Sequence, residues 1–230
     1  MALFYVPSVA TSSFLPEDES YHAVKVLRLQ SGDSIDLVDG VGGFFKAIIT
    51  TAHHKRCGFE IQENIPNVGK HNYKLHIAMA PTKNMDRLEW FVEKATEIGI
   101  DEITPIICHN SERKVLKNER LEKIVIAASK QSFKAKFPLI NPACSFVEFV
   151  EKSNASQKFI AHCYDEDKKL LHKELGVCKD VLVLIGPEGD FSPYEVQKAI
   201  EQKFIPVSLG ESRLRTETAG IAACCIVAFQ

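Results

Sequence analysis

The sequence predicts an α/β protein: a parallel sheet built from alternating strands and helices over residues 71–230, preceded by a small β-rich domain over residues 1–70. Three observations predict it. From Tyr73 onward, short apolar runs alternate with amphipathic helical segments, the pattern of a parallel sheet with crossover helices. Before that point, short segments separated by turn residues read as β-strands. The 230 residues, 45% hydrophobic and 25% charged, suffice for one large or two small packed cores and argue against disorder or low complexity.

Taken in order, a helical segment is expected over residues 20–29, where Val24, Leu27 and Ala23 share a face. Strands follow at 34–39, 44–51 and 57–61, with the Gly40-Val41-Gly42-Gly43 turn between the first two. Residues 65–69 break the pattern as a linker. Strand 75–79 leads to a helix at 86–98, in which Leu88, Phe91, Val92, Ala95 and Ile98 recur at helical spacing. Gly99 follows where a left-handed cap is expected, and Trp90 and Phe91 read as packing residues. Strand 103–107, helix 119–130, strands 158–162, 181–185 and 205–209, and a helix over 219–229 complete the pattern.

Composition narrows the function. There are 28 basic and 30 acidic residues, a net charge of −2, but residues 71–140 hold 12 basic and 9 acidic side chains, and the stretch 111–136 concentrates them. Such a stripe fits phosphate as well as a solvated helix face. The longest apolar runs, 181–185 and 224–229, fall far short of the roughly 20 residues that span a bilayer. The N-terminus lacks the basic and apolar pattern of a signal peptide, so no membrane partner is expected and the location is read as cytoplasmic. Seven cysteines (57, 108, 144, 163, 178, 224, 225), odd in number and never spaced Cys-x-x-Cys, predict buried free thiols and no metal site. The phosphate-binding Gly-x-x-x-x-Gly-Lys loop, the Gly-x-Ser-x-Gly elbow and His-Glu-x-x-His are all missing, which removes the main supports for ATPase, serine hydrolase and zinc-protease chemistry.

Two loops stand out. Ile185-Gly186-Pro187-Glu188-Gly189 follows the most apolar strand and precedes a helix whose start is pinned by Ser192, Pro193 and Glu195 as a capping box. Glycines at the C-terminal end of a parallel strand allow close backbone approach to a ligand, or simply a tight turn. The second loop, residues 209–219, carries Arg213 and Arg215, the only arginines after Arg120. Thr216 or Thr218 is expected to cap the last helix, with Glu217 near its positive end.

These loops closely resemble those of the SPOUT methyltransferases, and within them the RsmE-type 16S ribosomal RNA uridine N3-methyltransferases. The resemblance covers essentially the whole chain: residues 22–29 with Gly32-Asp33, Lys83 with residues 92–99, Gln131-Ser132 with Pro138, and the two loops in this order. Asp190 departs from the family's usual second glycine, Leu3 stands where an arginine is usual, and Lys134 replaces an arginine. The resemblance implies a PUA-like β-barrel for RNA at residues 1–70. It implies a trefoil-knotted methyltransferase domain at residues 71–230, a homodimer, and S-adenosylmethionine as methyl donor.

Carried onto this chain, the cofactor site would comprise His162, Ile185, Gly186, Glu188, Gly189, Leu209, Gly210, Leu214, Arg215, Thr218 and Ala219, with Cys163 beside it. RNA would meet His22, Lys25, Arg28, Lys83, Arg113, Lys130, Lys134 and Arg213. Methylation at uracil N3 requires loss of its proton and an unpaired base. Arg215 is expected to stabilise charge on the uracil carbonyls, with Glu217 or Glu188 as base. A SPOUT enzyme acting on another RNA such as tRNA, and a non-catalytic RNA-binding assembly protein, are the competing readings.

Overall fold

The computed structural model describes residues 2–177 and 180–230; Cys178 lies outside the described residues. The chain forms two compact units, one running to His71 and taking in Ile126–Phe137, the other comprising Asn72–Val125 and Pro138–Gln230.

The first unit is a four-stranded sheet of β1 (Leu3–Tyr5), β2 (Ser34–Val38), β3 (Phe44–Thr51) and β4 (Gly58–Asn64) in that order, β1 parallel to β2 and the rest antiparallel. Register shifts in β3 at Lys46/Ala47 and Ile49/Thr51 break strict alternation, so Phe44 and Ala47, three apart, are both buried. Phe4, Val9, Leu15, Ile35, Leu37, Ile49 and Phe59 fill the core. The helix expected at 20–29 is instead α1 (Glu17–Tyr21) running into a π-helical turn at His22–Val26, and Arg28 takes φ +58°. Leu27 is consequently 40% exposed and not on a buried face.

Residues 126–137 belong here because of side chains far apart in sequence. Ala135 packs with Leu3, Val38 and Phe44. Gly42 N donates to Ala135 O at 3.1 Å and Phe137 N to Gly40 O at 2.8 Å. Lys130 Nζ lies 2.5 Å from Glu19 Oε1.

The second unit is a parallel sheet ordered β10-β12-β9-β11-β5-β6-β7, with β8 also paired to β6. Its elements run β5 (Lys74–Met79), α2 (Met85–Ile98), β6 (Glu102–Ile107), α3 (Asn118–Gln131, whose last turns fall in the first unit), β7 (Leu139–Ile140) and β8 (Cys144–Ser145). They continue through α4 (Phe146–Lys152), β9 (Gln157–Ala161), β10 (Lys169–Leu170), α5 (Leu171–Glu174), β11 (Asp180–Ile185), α6 (Pro193–Glu201), β12 (Ile205–Ser208) and α7 (Thr216–Ala228). β11 lies between β9 and β5 and is buried on both faces, which is why residues 181–185 are uniformly apolar. Leu182 and Leu184 pack under Phe146, Phe191 and Val196 from the α4 and α6 side. Opposite, α2 and α7 pack together: a Cβ on Gly220 would meet the Phe91 ring at 2.6 Å and Met79 Sδ at 3.2 Å. Phe91 is fully buried as expected, whereas Trp90 is 43% exposed.

Parallel pairing of β12, β9 and β11 sets their C-terminal ends along one edge, where open α/β sheets gather their ligand loops. Among the described residues, no helix is long and apolar enough to cross a membrane, and no group of three or more His, Cys, Asp or Glu is placed to hold a metal.

Candidate functional site

Three loops converge at that edge: residues 162–168 after β9, 186–192 after β11 and 209–215 after β12. They enclose two adjoining cavities. The larger, about 600 Å³, is lined by His162, Asp165, Glu166, Lys168 and residues 207–214 among others. The smaller, about 290 Å³, is lined by Arg87, Ile185, Gly186, Pro187, Glu188, Asp190, Arg215 and Thr216. Ala161, Cys163, Arg213, Leu214 and Ala219 belong to both walls.

Local chemistry fixes the loops. Asp190 takes φ +63° and turns its carboxylate onto two backbone donors, Cys163 N at 2.7 Å and Phe191 N at 2.8 Å. This ties the β11 loop to the end of β9, and Asp is among the few residues other than glycine that tolerate this backbone. Asn110 Nδ2 donates to Gly189 O and Asp190 O at 3.0 Å each. A Cβ on Gly186 would lie 3.1 Å from the Phe191 ring, and one on Gly189 would lie 3.2 Å from Asn110 Cβ. A side chain at either position would press on these neighbours, which would have to give by a few tenths of an ångström. Gly210, at φ +149°, has nothing within 4 Å of a built Cβ, while its N–H donates to Ser208 Oγ at 3.3 Å and its carbonyl accepts from that hydroxyl at 2.8 Å.

The predicted capping box is present: Ser192 Oγ accepts from Glu195 N, and Glu195 Oε2 accepts from Ser192 N at 2.8 Å. The expected threonine cap on α7 is absent. Its N-cap is Arg215, without a side-chain cap bond, and Thr216 is the buried first helical residue. The helix therefore starts three residues earlier than expected, and Glu217 falls inside its first turn.

His162 is the buried polar residue of the larger cavity, with a side chain 0% exposed. Lys168 Nζ donates to its Nδ1 at 3.3 Å, which leaves the neutral ring's proton on Nε2. Nε2 has no hydrogen-bond partner. Burial first, then the nearby Lys168 cation, holds the ring below its ordinary pKa. Cys163, expected buried, is exposed, and Cys144 and Cys225 are half-buried; Cys57, Cys108 and Cys224 are buried as expected.

The two predicted bases lie apart. Glu188 is exposed on the smaller cavity and accepts from Lys83 N at 2.9 Å. Glu217 is buried against α2, lines neither cavity, and has Oε1 3.8 Å from Arg87 Nε. Thr218 is exposed and also outside both walls. Arg87 was not singled out by sequence because a basic residue in the first turn of an amphipathic helix carries no motif.

The predicted RNA contacts divide. Lys25, Arg28 and Arg213 are exposed. Lys83 pairs with Glu112 at 2.8 Å and its carbonyl accepts from Arg113, so these two form one exposed cluster beside Glu188. Lys130 is spent on the buried Glu19 carboxylate, Lys134 is half-buried and its pKa is lowered by burial, and the His22 ring packs on Phe4 at 6.0 Å.

The residues present fit S-adenosylmethionine. The donor is cationic and the larger cavity carries three carboxylates, Asp165, Glu166 and Glu211, against two cations, Lys168 and Arg213. The buried Nε2–H of His162 has no hydrogen-bond partner, with Glu166 Oε2 3.9 Å away, and the space beside Gly210 is open, with nothing within 4 Å of a built Cβ. A cavity of this size lies in the range that holds small ligands.

The parallel sheet with three convergent loops, joined to a small β unit, defines an RNA methyltransferase architecture. Residues 69–228 match the RNA methyltransferase domain model and residues 15–62 the RNA methyltransferase PUA domain model. The chain is 30% identical to the ribosomal RNA small subunit methyltransferase E of Rickettsia conorii over 91% of this chain and 86% of that one. It superposes on a probable rRNA-methyltransferase from Porphyromonas gingivalis with TM-score 0.92 and 44% identity over 97% and 95% of the two chains. A Neisseria gonorrhoeae ribosomal RNA small subunit methyltransferase E bound to S-adenosyl methionine matches with TM-score 0.85 and 27% identity over 98% and 95%. The chain belongs to the ribosomal RNA small subunit methyltransferase E family.

Proposed function

We propose that the protein uses S-adenosylmethionine to methylate N3 of a uridine in the 16S rRNA of the small ribosomal subunit, in the cytoplasm, as a homodimer. Residues 1–70 are assigned RNA binding and residues 71–230 a trefoil-knotted catalytic domain. The observation that carries the reading is the opposite charge of two cavities that share a wall. The larger carries Asp165, Glu166 and Glu211 against Lys168 and Arg213, a formal excess of one negative charge, and the smaller carries Arg87, Arg213 and Arg215 against Glu188 and Asp190, a formal excess of one positive charge. The Glu188 and Asp190 carboxylates are turned onto backbone N–H groups, whereas Arg213 and Arg215 have no such partner among the described residues. One site thus suits a cation and its neighbour an anion, the polarity required to join a sulfonium to an ionised imide.

When bound, S-adenosylmethionine supplies an electrophilic methyl group. The chain's own residues do the rest. His162, Leu209, Gly210 and Leu214 would hold the donor in the larger cavity. Ile185 and Gly186 form the floor of the smaller one, whose arginines favour negative charge on the acceptor carbonyls. Arg213, exposed on the shared wall, is placed to meet the RNA backbone.

A knot is supported by strand order: β11 enters between β5 and β9, and β12 between β9 and β10, positions flanked by earlier strands. A dimer is supported by α7, whose sequence is apolar all round although Ile221, Cys225 and Ile226 are only half-buried and Phe229 is 78% exposed.

The test is incubation with methyl-labelled S-adenosylmethionine and small subunits lacking their native methylation, followed by nucleoside analysis. Label in 3-methyluridine is expected. Label elsewhere, label only in tRNA, or binding without transfer would replace the assignment.

A further inference from the structure

Arg87 belongs to α2, which carries neither cofactor loop, yet its side chain lines the smaller cavity alongside Arg213 and Arg215. It is 39% exposed, and its Nε lies 3.8 Å from Oε1 of Glu217, whose side chain is 10% exposed. Glu217 Oε2 is buried with no hydrogen-bond partner. A buried carboxylate is costly without a counter-charge, and Arg87 is the cation that α2 brings to its other oxygen. Glu217 lines neither cavity, so this ion pair reaches Arg87 from the α7 side, while Arg87 itself lines the smaller cavity.

We propose that Arg87 contacts the acceptor base and stabilises its deprotonated form, and that Glu217 is the residue that positions Arg87 and is not a general base. This rests on the uridine reading above. In the step, the N3–H bond breaks and its proton goes to water, leaving charge shared among N3, O2 and O4. The N3 electron pair then forms the bond to the methyl carbon while the carbon–sulfur bond of the donor breaks, its electrons staying on sulfur to give a neutral thioether. Planar N–H donors matched to a carbonyl oxygen favour the anion over the neutral base. The other titratable or charged groups facing this space are Cys163 after β9, Glu188 and Asp190 after β11, and Arg213 and Arg215 before α7. Lys83 N engages Glu188, and Cys163 N with Phe191 N engages Asp190. Arg213 and Arg215 make no hydrogen bond or ion pair among the described residues, so with Arg87 three guanidiniums line this cavity against the two carboxylates.

The experiment compares wild type with Arg87→Gln, Arg87→Lys, Glu217→Gln and the Arg87→Gln/Glu217→Gln double variant. Donor affinity is measured by calorimetry, and single-turnover methylation of unmethylated subunits is followed from pH 6 to 9. The expected result for Arg87→Gln is a rate lower by about a hundredfold, with the pH profile displaced upward and donor affinity within about threefold of wild type. Arg87→Lys should recover part of the rate. Subunits carrying 5-fluorouracil, a more acidic imide, should restore most of what Arg87→Gln loses, a rescue that a merely structural role would not give. Glu217→Gln should slow the wild type by about tenfold and slow Arg87→Gln no further. An unchanged pH profile in Arg87→Gln, or a full further loss from Glu217→Gln in its background, overturns the inference alone. A wild-type protein that binds donor but yields no 3-methyluridine overturns the uridine reading and this inference with it.

Discussion

At Asp190 the backbone adopts φ +63°, a conformation that glycine accepts freely and most residues resist by roughly 1–2 kcal/mol. The family resemblance places a glycine here, and the aspartate keeps the conformation while its carboxylate takes Cys163 N and Phe191 N. Two substitutions separate these contributions. Asp190→Gly retains the turn and loses the carboxylate, at an expected cost of about 1 kcal/mol, discounted because Cys163 is exposed. Asp190→Ala loses the carboxylate and strains the turn, so it should cost about 2 kcal/mol. Urea unfolding of both variants checks the order; equal losses would show that the backbone conformation is not under strain.

The helix α6 is held by more than its own capping box. Glu195, 4% exposed, accepts from Ser192 N at 2.8 Å and Ser192 Oγ at 2.9 Å, and through its other oxygen from His109 N at 2.8 Å, which anchors the residues following β6. Ser192→Ala removes one cap and should cost about 1 kcal/mol. Glu195→Ala leaves donors on two elements unpaired and should cost about 3 kcal/mol, measured as the shift in denaturant midpoint at constant slope.

The local half of this arrangement was legible in the sequence, because Ser192, Pro193 and Glu195 sit at fixed helix-start spacing. The bond to His109, 86 residues away, was not. The same division runs through the molecule. β11 and Gly99, which caps α2 at φ 122°, are announced by local composition. The two-residue strands β7, β8 and β10 lack the length to show a pattern. Arg87 became part of the site only because packing of α2 against α7 brought it to the loop that precedes α7.

Stability of the whole molecule should carry a pH dependence traceable to one buried ring. His76 on β5 shares a 2.7 Å hydrogen bond with Thr104 Oγ1 on β6, and burial pushes its pKa from 6.5 down to about 4, against the opposing pull of Glu102 3.5 Å away. The ring is therefore neutral in the fold and must be charged in the unfolded chain once pH falls below 6.5. Between those two values the unfolded state binds more protons, so stability is present at pH 7 and is lost progressively from pH 6.5 towards pH 4, by on the order of 2–3 kcal/mol at the acid end. His162 acts in the same direction, since burial lowers its pKa too. Removing the ring while keeping a partner for Thr104, as in His76→Gln, should flatten the dependence: the drop in melting temperature between pH 7 and pH 5 becomes smaller than in wild type, whatever the variant costs at pH 7. An equally steep drop in the variant would mean that protonation of His76 is not coupled to unfolding. The proposed chemistry depends on ionising an acceptor imide, which also favours neutral to alkaline pH. Folding and turnover should therefore fail together on acidification, whereas loss of rate in Arg87→Gln should occur at pH values where the fold is at full stability.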